Sequence, residues 1–408
     1  MKKIKIISLS YNDIDGGASF VAYRIFNYLN EKKIDSKLFV IKKDTKNSKV
    51  YKFQNKKKNN FLKKIFFFFL KEKNKYSFYN YGNYLIKETS QLDKLIKEKP
   101  SAIIVYNNSN FIKPELINFL YSKKIKIIFS LTDQELITGG CHYNFNCKKF
   151  KTNCYPCPAT RFPLYKIASK NLSQKFNSYF PIKISFLCAS KKVVKDVSNS
   201  VIFNRSKHKV YLNYYSLDLK KYKPLQNYNK KSKIVIGFRS SLNPRKGNKY
   251  IIDALNHLIF KDRNIINKIK FNIIGDSSII EYIKKKGFDY SFKTNVDNEN
   301  KLIKFYNDLD FFINQSIQDQ GPMMVNEALA CGVPVISFEI GVAVDFIKKN
   351  YNGYLIKSLS SKLLAEKILY ISKLKNKKIK NMKKNSRKTA YKFLDLNKNI
   401  KKIIKVCK

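Results

Sequence analysis

The sequence predicts an α/β chain of two successive doubly wound, parallel-sheet domains, on three observations. The chain has 408 residues, more than one hydrophobic core usually fills, so two domains are expected. Strand-like runs alternate with helical runs along it, as they do where parallel strands are joined by helical crossovers. The alternation is interrupted at a polar loop, residues 222–231, and then begins again. With 44% hydrophobic residues, there is enough apolar side chain to fill both cores.

The elements follow in order. "KIKIISLS" alternates as a strand, "ASFVAYRIFNYLNEK" has helical spacing, and "SKLFVI" returns as a strand. "SAIIVYN", "PELINFLYSKK" and "IKIIFSL" continue as strand, helix and strand. After the loop come "KIVIGF", "KGNKYIIDALNHLI", "IKFNIIGD", "NKLIKFYNDL", "DFFINQS", "MMVNEALAC", "VPVISF" and "YLI". In the closing "NKNIKKIIKVCK", Ile400, Ile403, Ile404 and Cys407 lie at helical spacing. The expected division is a domain of residues 1–222, a second of 223–389, and a helix within 390–408 that packs back on a domain. A cleft between the domains is expected to hold a ligand at the carboxyl ends of strands.

The chain carries 82 Lys and Arg against 29 Asp and Glu, a net charge of +53. Such an excess reads as lysine drift in composition, as a polyanionic partner, or as a membrane surface. Nucleic acid is disfavoured, because no zinc finger, ribonucleoprotein motif or basic zipper is readable. The apolar run at the start is too short for a signal peptide, and no stretch approaches the roughly 18 apolar residues needed to span a bilayer. A cytoplasmic chain with reduced cysteines is expected. One segment departs from the alternation: in "NKKKNNFLKKIFFFFLKEKNK", Phe61, Leu62, Ile65, Phe68 and Phe69 share a helical face flanked by lysines. Two readings fit it, a helix lying in an anionic membrane surface and a helix covering the first domain's core.

The chemistry concentrates in a few stretches. In "DQGPMMVNEALACGVPVISFE", Pro322 suits a first helical turn, and Gly332 with Pro334 suits the helix end. Asp319 then precedes the helix and Glu327 lies within it. The amides around Gly321, Pro322 and Met323 offer a place for phosphate or a polar sugar, and a carboxylate accepts from two hydroxyls at once. A helix N-terminal charge with a chance acid is the other reading of the pair.

The acid, seven residues, Glu and then "ALACGVPVISF" resemble the signature of the retaining family-4 glycosyltransferases, which have the GT-B fold of two Rossmann-like domains facing a central cleft. Asp319 stands where Glu is commoner, and "DQGP" lacks the second glycine of the common loop. The resemblance implies that Asp319 lies at the transferred hexose and Glu327 at the nucleotide ribose. Upstream, "GFRSSLNPRKG" places Arg239 and Lys246 in one strand-to-helix loop, with Arg245 able to stand in for either. Such cations can neutralise a diphosphate leaving group without a metal. Gly275, after "FNIIGDS", ends a strand where the family holds base or ribose. Gly16 and Gly17 resemble the family's glycine loop, which approaches donor and acceptor; a tight strand-to-helix turn explains them equally.

The run "SLTDQELITGGCHYNFNCKKFKTNCYPCP" resembles the "LHD…TGGCHY…C…C..CP" segment of a colanic-acid or capsule subgroup. Thr132 replaces that subgroup's His, and Asp133 is retained, both on the implied acceptor side. Cys141, Cys147, Cys154 and Cys157 fall within 17 residues, a set that reads as a structural zinc site or as a thiol cluster, with His142 an alternative ligand. Cys188, Cys331, Cys407, His208 and His257 read as core or helix-face residues. The pairs Asp13 with Asp15 and Asp308 with Asp310 are Asp-x-Asp triplets of the kind that can hold a divalent ion; a strand boundary explains the second better.

Together the resemblance implies a hexosyltransferase that uses a nucleotide sugar, retains anomeric configuration and requires no cofactor. The implied acceptor is a glycan or lipid-linked oligosaccharide in cell-surface polysaccharide synthesis. Two alternatives stay open: a nucleotide-sugar epimerase of the same fold, which would convert donor without acceptor, and a sugar-nucleotide-binding scaffold without turnover.

Overall fold

The computed structural model describes residues 4–53, 77–106, 109–160, 164–204, 206–225, 232–294, 296 and 298–408. The expected basic helix around Phe68 lies outside them. The chain forms two compact units, Met1–Asn213 with Ile400–Lys408, and Tyr214–Asn399.

The first unit is built on a seven-stranded sheet. Its strands are β1 (Lys5–Asn12), β2 (Asp35–Lys42), β3 (Val50–Lys52), β4 (Ala102–Val105), β5 (Lys126–Leu131), β6 (Ile184–Cys188) and β7 (Lys209–Leu212), in the order β3-β2-β1-β4-β5-β6-β7. Every pairing is parallel, with Ile7 beside Ile103 and Ile127 beside Ile184. The order reverses between β1 and β4, so the loops leaving these strands diverge and open a space at their carboxyl ends. Helix α1 (Gly17–Glu31) turns Val21, Ala22, Ile25, Phe26 and Leu29 inward at helical spacing. Four further helices, α2 (Asp93–Lys97), α3 (Pro114–Ser122), α4 (Ile167–Tyr179) and α5 (Lys191–Ser198), belong to this unit. The core lies between sheet and helices, around Ile103, Ile127, Phe129, Phe186 and Leu172.

The second unit repeats the scheme with six parallel strands. They are β8 (Ile234–Ser240), β9 (Ile269–Gly275), β10 (Asp289–Lys293), β11 (Phe311–Asn314), β12 (Val335–Phe338) and β13 (Gly353–Ile356), in the order β10-β9-β8-β11-β12-β13. Helices α6 (Asn248–Lys261), α7 (Ile265–Lys268), α8 (Ile280–Lys285), α9 (Glu299–Asn307), α10 (Met323–Ala330), α11 (Ala343–Phe346), α12 (Ser361–Ser372) and α13 (Asn376–Phe393) accompany them. Here the order reverses between β8 and β11, which again makes the carboxyl ends of two neighbouring strands the place where a crevice opens. The central strands β11 and β12 are buried along their whole length, as expected of parallel strands covered on both faces.

A last helix, α14 (Leu396–Cys407), has Ile400, Ile403 and Cys407 buried and Ile404 half-buried. That is the face its spacing predicted. Among the described residues, no helix is long and apolar enough to cross a membrane.

Candidate functional site

The loop from β8 to α6 is fixed from within. Ser240 Oγ donates to Asp276 Oδ1 at 2.8 Å, and the amide of Leu242 donates to the other oxygen of the same carboxylate. Asn248 bonds Ser240 and Ser278 through its amide nitrogen and receives the Ser241 amide on its oxygen. The Asn243 side chain caps a short 3₁₀ turn, Pro244–Lys246, by accepting from the Arg245 amide. The turn ends at Gly247, whose φ is 77°. A Cβ there would sit 2.0 Å from the backbone oxygen of Gln315, so this close approach of two loops requires glycine.

The turn delivers Arg245 and Lys246 to Asp319. Arg245 donates to Asp319 Oδ2 at 3.0 Å and to the Gln318 carbonyl at 2.7 Å, and Lys246 Nζ donates to the same Oδ2 at 2.9 Å. Burial acts to raise the Asp319 pKa, but the charges and hydrogen bonds of Lys246 and Arg245 outweigh it and hold the value at about 2. Burial pushes the Lys246 pKa down, against the attraction of Asp319 and with the repulsion of Arg245 and Arg239. One carboxylate facing two cations leaves the cluster with a net positive charge. Beside it, Gln320 Nε2 is buried with no hydrogen-bond partner.

Arg239, expected to pair with Lys246, is exposed at the end of β8, and its carbonyl accepts from Gln315. The close partner of Lys246 is Arg245, which the sequence offered as a substitute. Pro322 is the residue just before α10, with φ −61° and ψ 104°, and not a member of the first turn. Gly321 is buried, Met323 opens the helix, and no side chain caps its amino end. Glu327, 6% exposed, accepts a 2.8 Å bond from Tyr306 of α9 on Oε2. Gly275 has φ 116°, and a Cβ there would lie 2.2 Å from the Ser240 backbone oxygen. Asp310 Oδ2 accepts from the Val235 amide, so this member of the second triplet closes a strand boundary.

In the first unit, Gly16 has φ 87° and precedes α1, and Gly17 opens that helix. Asp13 is buried and accepts from the amides of Ile14, Asp44 and Thr45. Thr132 Oγ1 donates to the Tyr106 carbonyl at 2.6 Å, which ties it to the backbone after β4. Asp133 accepts from the Glu135 amide on Oδ1 and pairs through Oδ2 with His142 Nδ1 at 3.0 Å. The other imidazole nitrogen, Nε2, lies 2.5 Å from Ser109 Oγ. Burial acts to lower the His142 pKa, but Asp133 reverses the sign and raises it.

Sequence reasoning named His142 only as a spare metal ligand. Its pairing with Asp133 depends on a loop closure: Gln134 donates from its amide to the His142 carbonyl and accepts the Asn144 amide on its side chain. That loop rests on a buried ion pair, Lys175 to Glu135 at 2.6 Å, with both side chains fully buried.

The cysteines do not fit a zinc ion. Among the described residues, no group of three His, Cys, Asp or Glu is placed to hold a metal. Instead a hydrogen bond from Cys141 brings the Cys157 pKa down to about 6, and burial pushes Cys154 up to about 12. Cys154 and Cys157 are both buried in the first unit's apolar core, where burial keeps the Cys154 thiol neutral. Cys188, Cys331 and Cys407 are buried as expected, His208 is buried, and His257 lies on an exposed helix face.

Residues 222–389 match the sequence profile of the family glycosyl transferases group 1. The second unit carries a glycosyl transferases group 1 domain. The group 1 domain contains Asp319, Arg239, Arg245, Lys246 and Glu327, whereas Asp133, His142 and the clustered cysteines precede the matched residues. The chain is 30% identical over 142 residues to the poly(ribitol-phosphate) alpha-N-acetylglucosaminyltransferase of Staphylococcus aureus (strain COL), a match covering 34% of the chain and 28% of that protein. It is 24% identical over 238 residues to the putative colanic acid biosynthesis glycosyl transferase WcaC of Escherichia coli (strain K12), covering 55% of each. The matches thus span under a third of the first relative's length and little more than half of the second's. Among solved structures, Anabaena Alr3699/HepE in complex with UDP aligns with a TM-score of 0.65 at 14% identity, over 98% of this chain and 99% of that one. The likeness shows the fold: two parallel-sheet, Rossmann-like α/β domains, as the GT-B resemblance implied.

Proposed function

We propose that the chain is a glycosyltransferase that moves a hexose from a nucleotide sugar to a glycan or lipid-linked acceptor, with retention of anomeric configuration. The observation that carries this reading is the cluster of Arg245 and Lys246 on Asp319, where the β8 and β11 loops meet within the group 1 domain. Its net positive charge, next to the uncapped start of α10, suits a diphosphate. As the bond from C1 to the diphosphate breaks, negative charge grows on the leaving oxygen, and Lys246 and Arg245 are placed to stabilise it. Two fixed side-chain cations then do what a divalent ion would do, so the reaction is expected to proceed without metal. Asp319 stays ionised at neutral pH, so it accepts hexose hydroxyl bonds and does not act as a general acid. Glu327, with Tyr306 on one oxygen, supplies a carboxylate for the ribose diol. The acceptor proton leaves on the departing diphosphate.

The finer expectations belong to the same proposal. The relatives named for poly(ribitol-phosphate) and for colanic acid support an acceptor in cell-surface polysaccharide synthesis. A cytoplasmic location, with the lysine-rich segment in peripheral contact with an anionic membrane, is carried into the proposal as an expectation from the sequence. In this proposal Gly16 and Gly17 approach the substrates, Gly275 makes room for base or ribose, Arg239 adds charge, and Asp133 and Thr132 lie on the acceptor side. The test is substitution of Lys246→Ala and Arg245→Ala in folded protein. A loss of ~10²–10³ in turnover is expected for removal of one charge-stabilising donor; unchanged donor affinity and turnover in both would overturn the reading.

A further inference from the structure

Four cysteines, Cys141, Cys147, Cys154 and Cys157, fall within 17 residues of the first unit, and the proposed transfer of a hexose uses none of them. Two of the four face each other: the Cys141 thiol donates a hydrogen bond to the Cys157 sulfur. The backbone amides of Ala159 and Thr160 donate to the same sulfur. Three donors on one sulfur favour a thiolate, and the bond from Cys141, opposed by burial, holds the Cys157 pKa at about 6. Cys141 is the opposite case, since the same bond and burial keep it protonated. The burial of Cys157 is shallow: it is 7% exposed, but its chain neighbours Pro156 and Pro158 are both exposed. Cys141 is half-buried.

A thiolate beside a second thiol is an arrangement that reacts with a peroxide in two steps. The Cys157 thiolate attacks one oxygen of hydrogen peroxide, the O–O bond breaks, hydroxide leaves, and the sulfur becomes a sulfenic acid. Cys141 then attacks that sulfur: the S–S bond forms, the S–O bond breaks, and the hydroxyl departs as water with the Cys141 proton. The sulfur pair loses two electrons and the peroxide gains them. Bonded sulfurs approach to about 2.0 Å, closer than a hydrogen bond between thiols, so oxidation draws the Cys141 segment toward Cys157. That segment is tied on its other sides. Cys141 bridges Phe78 through its backbone, and its carbonyl accepts from Thr138 Oγ1 at 2.8 Å. The next residue is His142, paired with Asp133 at 3.0 Å, so the disulfide pulls against that pairing.

We propose that Cys141 and Cys157 form a peroxide-responsive thiol pair, in which Cys157 is oxidised first, Cys141 resolves it to a disulfide, and the disulfide lowers turnover. The loss of turnover rests on the transferase reading, whereas the thiol chemistry does not. The test treats the reduced full chain with hydrogen peroxide and maps its cysteines by mass spectrometry after differential alkylation. A disulfide between Cys141 and Cys157 is expected, reversed by dithiothreitol, with Cys157 oxidised at least tenfold faster than the half-buried Cys147. Cys141→Ser should leave a Cys157 sulfenic acid that dimedone traps. Glycosyl transfer should fall at least tenfold on oxidation, recover with dithiothreitol, and resist peroxide in Cys157→Ser. Mapping on the unaltered chain decides the chemistry even where a serine variant fails to fold. Oxidation of Cys147 first, a disulfide that omits either proposed partner, zinc held by the reduced thiols, or full turnover in the oxidised chain would overturn the proposal. Transfer absent from the reduced chain with every donor would count against the transferase reading and leave the thiol mapping standing.

Discussion

Lys175→Met should remove a large share of the first unit's stability. The ammonium of Lys175 is fully buried and donates to Glu135 Oε1 at 2.6 Å, to the Thr138 carbonyl at 2.9 Å and to the Glu135 carbonyl. Methionine fills similar space but donates to none of them. Glu135 would keep one bond, from Asn80 at 2.8 Å, while its Oε2 is already buried without a partner. Breaking a buried pair from one side leaves an uncompensated charge and costs about 3–5 kcal/mol. Whole-domain stabilities are only about 5–15 kcal/mol, so the loss is a large share. Because the chain has two units and global unfolding need not be two-state, the assay is hydrogen exchange on peptides from β5, β6 and α4. Protection there should fall by about 10²–10³, since each 1.4 kcal/mol is about tenfold. Lys175→Met with Glu135→Leu should regain at least ~2 kcal/mol of the loss, because no buried charge then remains. A single variant costing less than about 1 kcal/mol, or a double variant no better than the single, would refute the reasoning. The prediction bears on function, because this pair supports the loop that joins Asp133 to His142.

The Asp319 pKa of about 2 lies below the ordinary 3.8, so its stabilising contribution is complete above about pH 4 and is lost as pH falls toward 2. Acid unfolding of the second unit should therefore lose about 2 kcal/mol across that window, and Asp319→Asn should flatten this limb of the curve. Gly247→Ala should abolish donor binding measured by calorimetry and destabilise the second unit, because a Cβ would lie 2.0 Å from the Gln315 carbonyl oxygen; tight binding in that variant would contradict the loop account. If the lysine-rich segment lies on an anionic surface, the chain should sediment with anionic vesicles, and Phe68→Asp with Phe69→Asp should release it; equal sedimentation of both proteins would exclude that reading.

Much of the fold was legible because its central strands are short apolar runs, such as "FFIN" and "VISF", set between helices. Elements that the periodicity did not reveal have a physical reason. Strand β10, "DYSFK", lies at a sheet edge with no fully buried residue, so it carries little hydrophobic pattern. Helix α13 buries Ile379, Met382, Ser386, Thr389 and Ala390, a stripe at helical spacing that is mostly small or polar and hard to see among lysines. In the candidate site, Asp319, Glu327 and Lys246 stood out because their motifs resemble the family's. The choice of Arg245 over Arg239 as the near partner depended on a 3₁₀ turn ending in a left-handed glycine, which spacing does not encode. The pairing of Asp133 with His142 likewise required a loop held by Gln134 and Lys175. The four cysteines left two readings open in the sequence, a structural zinc and a thiol cluster, and the hydrogen bond between Cys141 and Cys157 favours the second.

The central claim is that a nucleotide sugar's diphosphate is held and activated by Lys246 and Arg245 across from Asp319. Its most direct test is mass-spectrometric assay of the full chain with a panel of nucleotide sugars and lipid-linked oligosaccharide acceptors, in parallel with Lys246→Ala. The account predicts that one donor adds a single hexose mass to the acceptor and that Lys246→Ala lowers the rate about 10²–10³-fold. Transfer at full rate by Lys246→Ala, or no transfer from any donor by the unaltered chain, would contradict it.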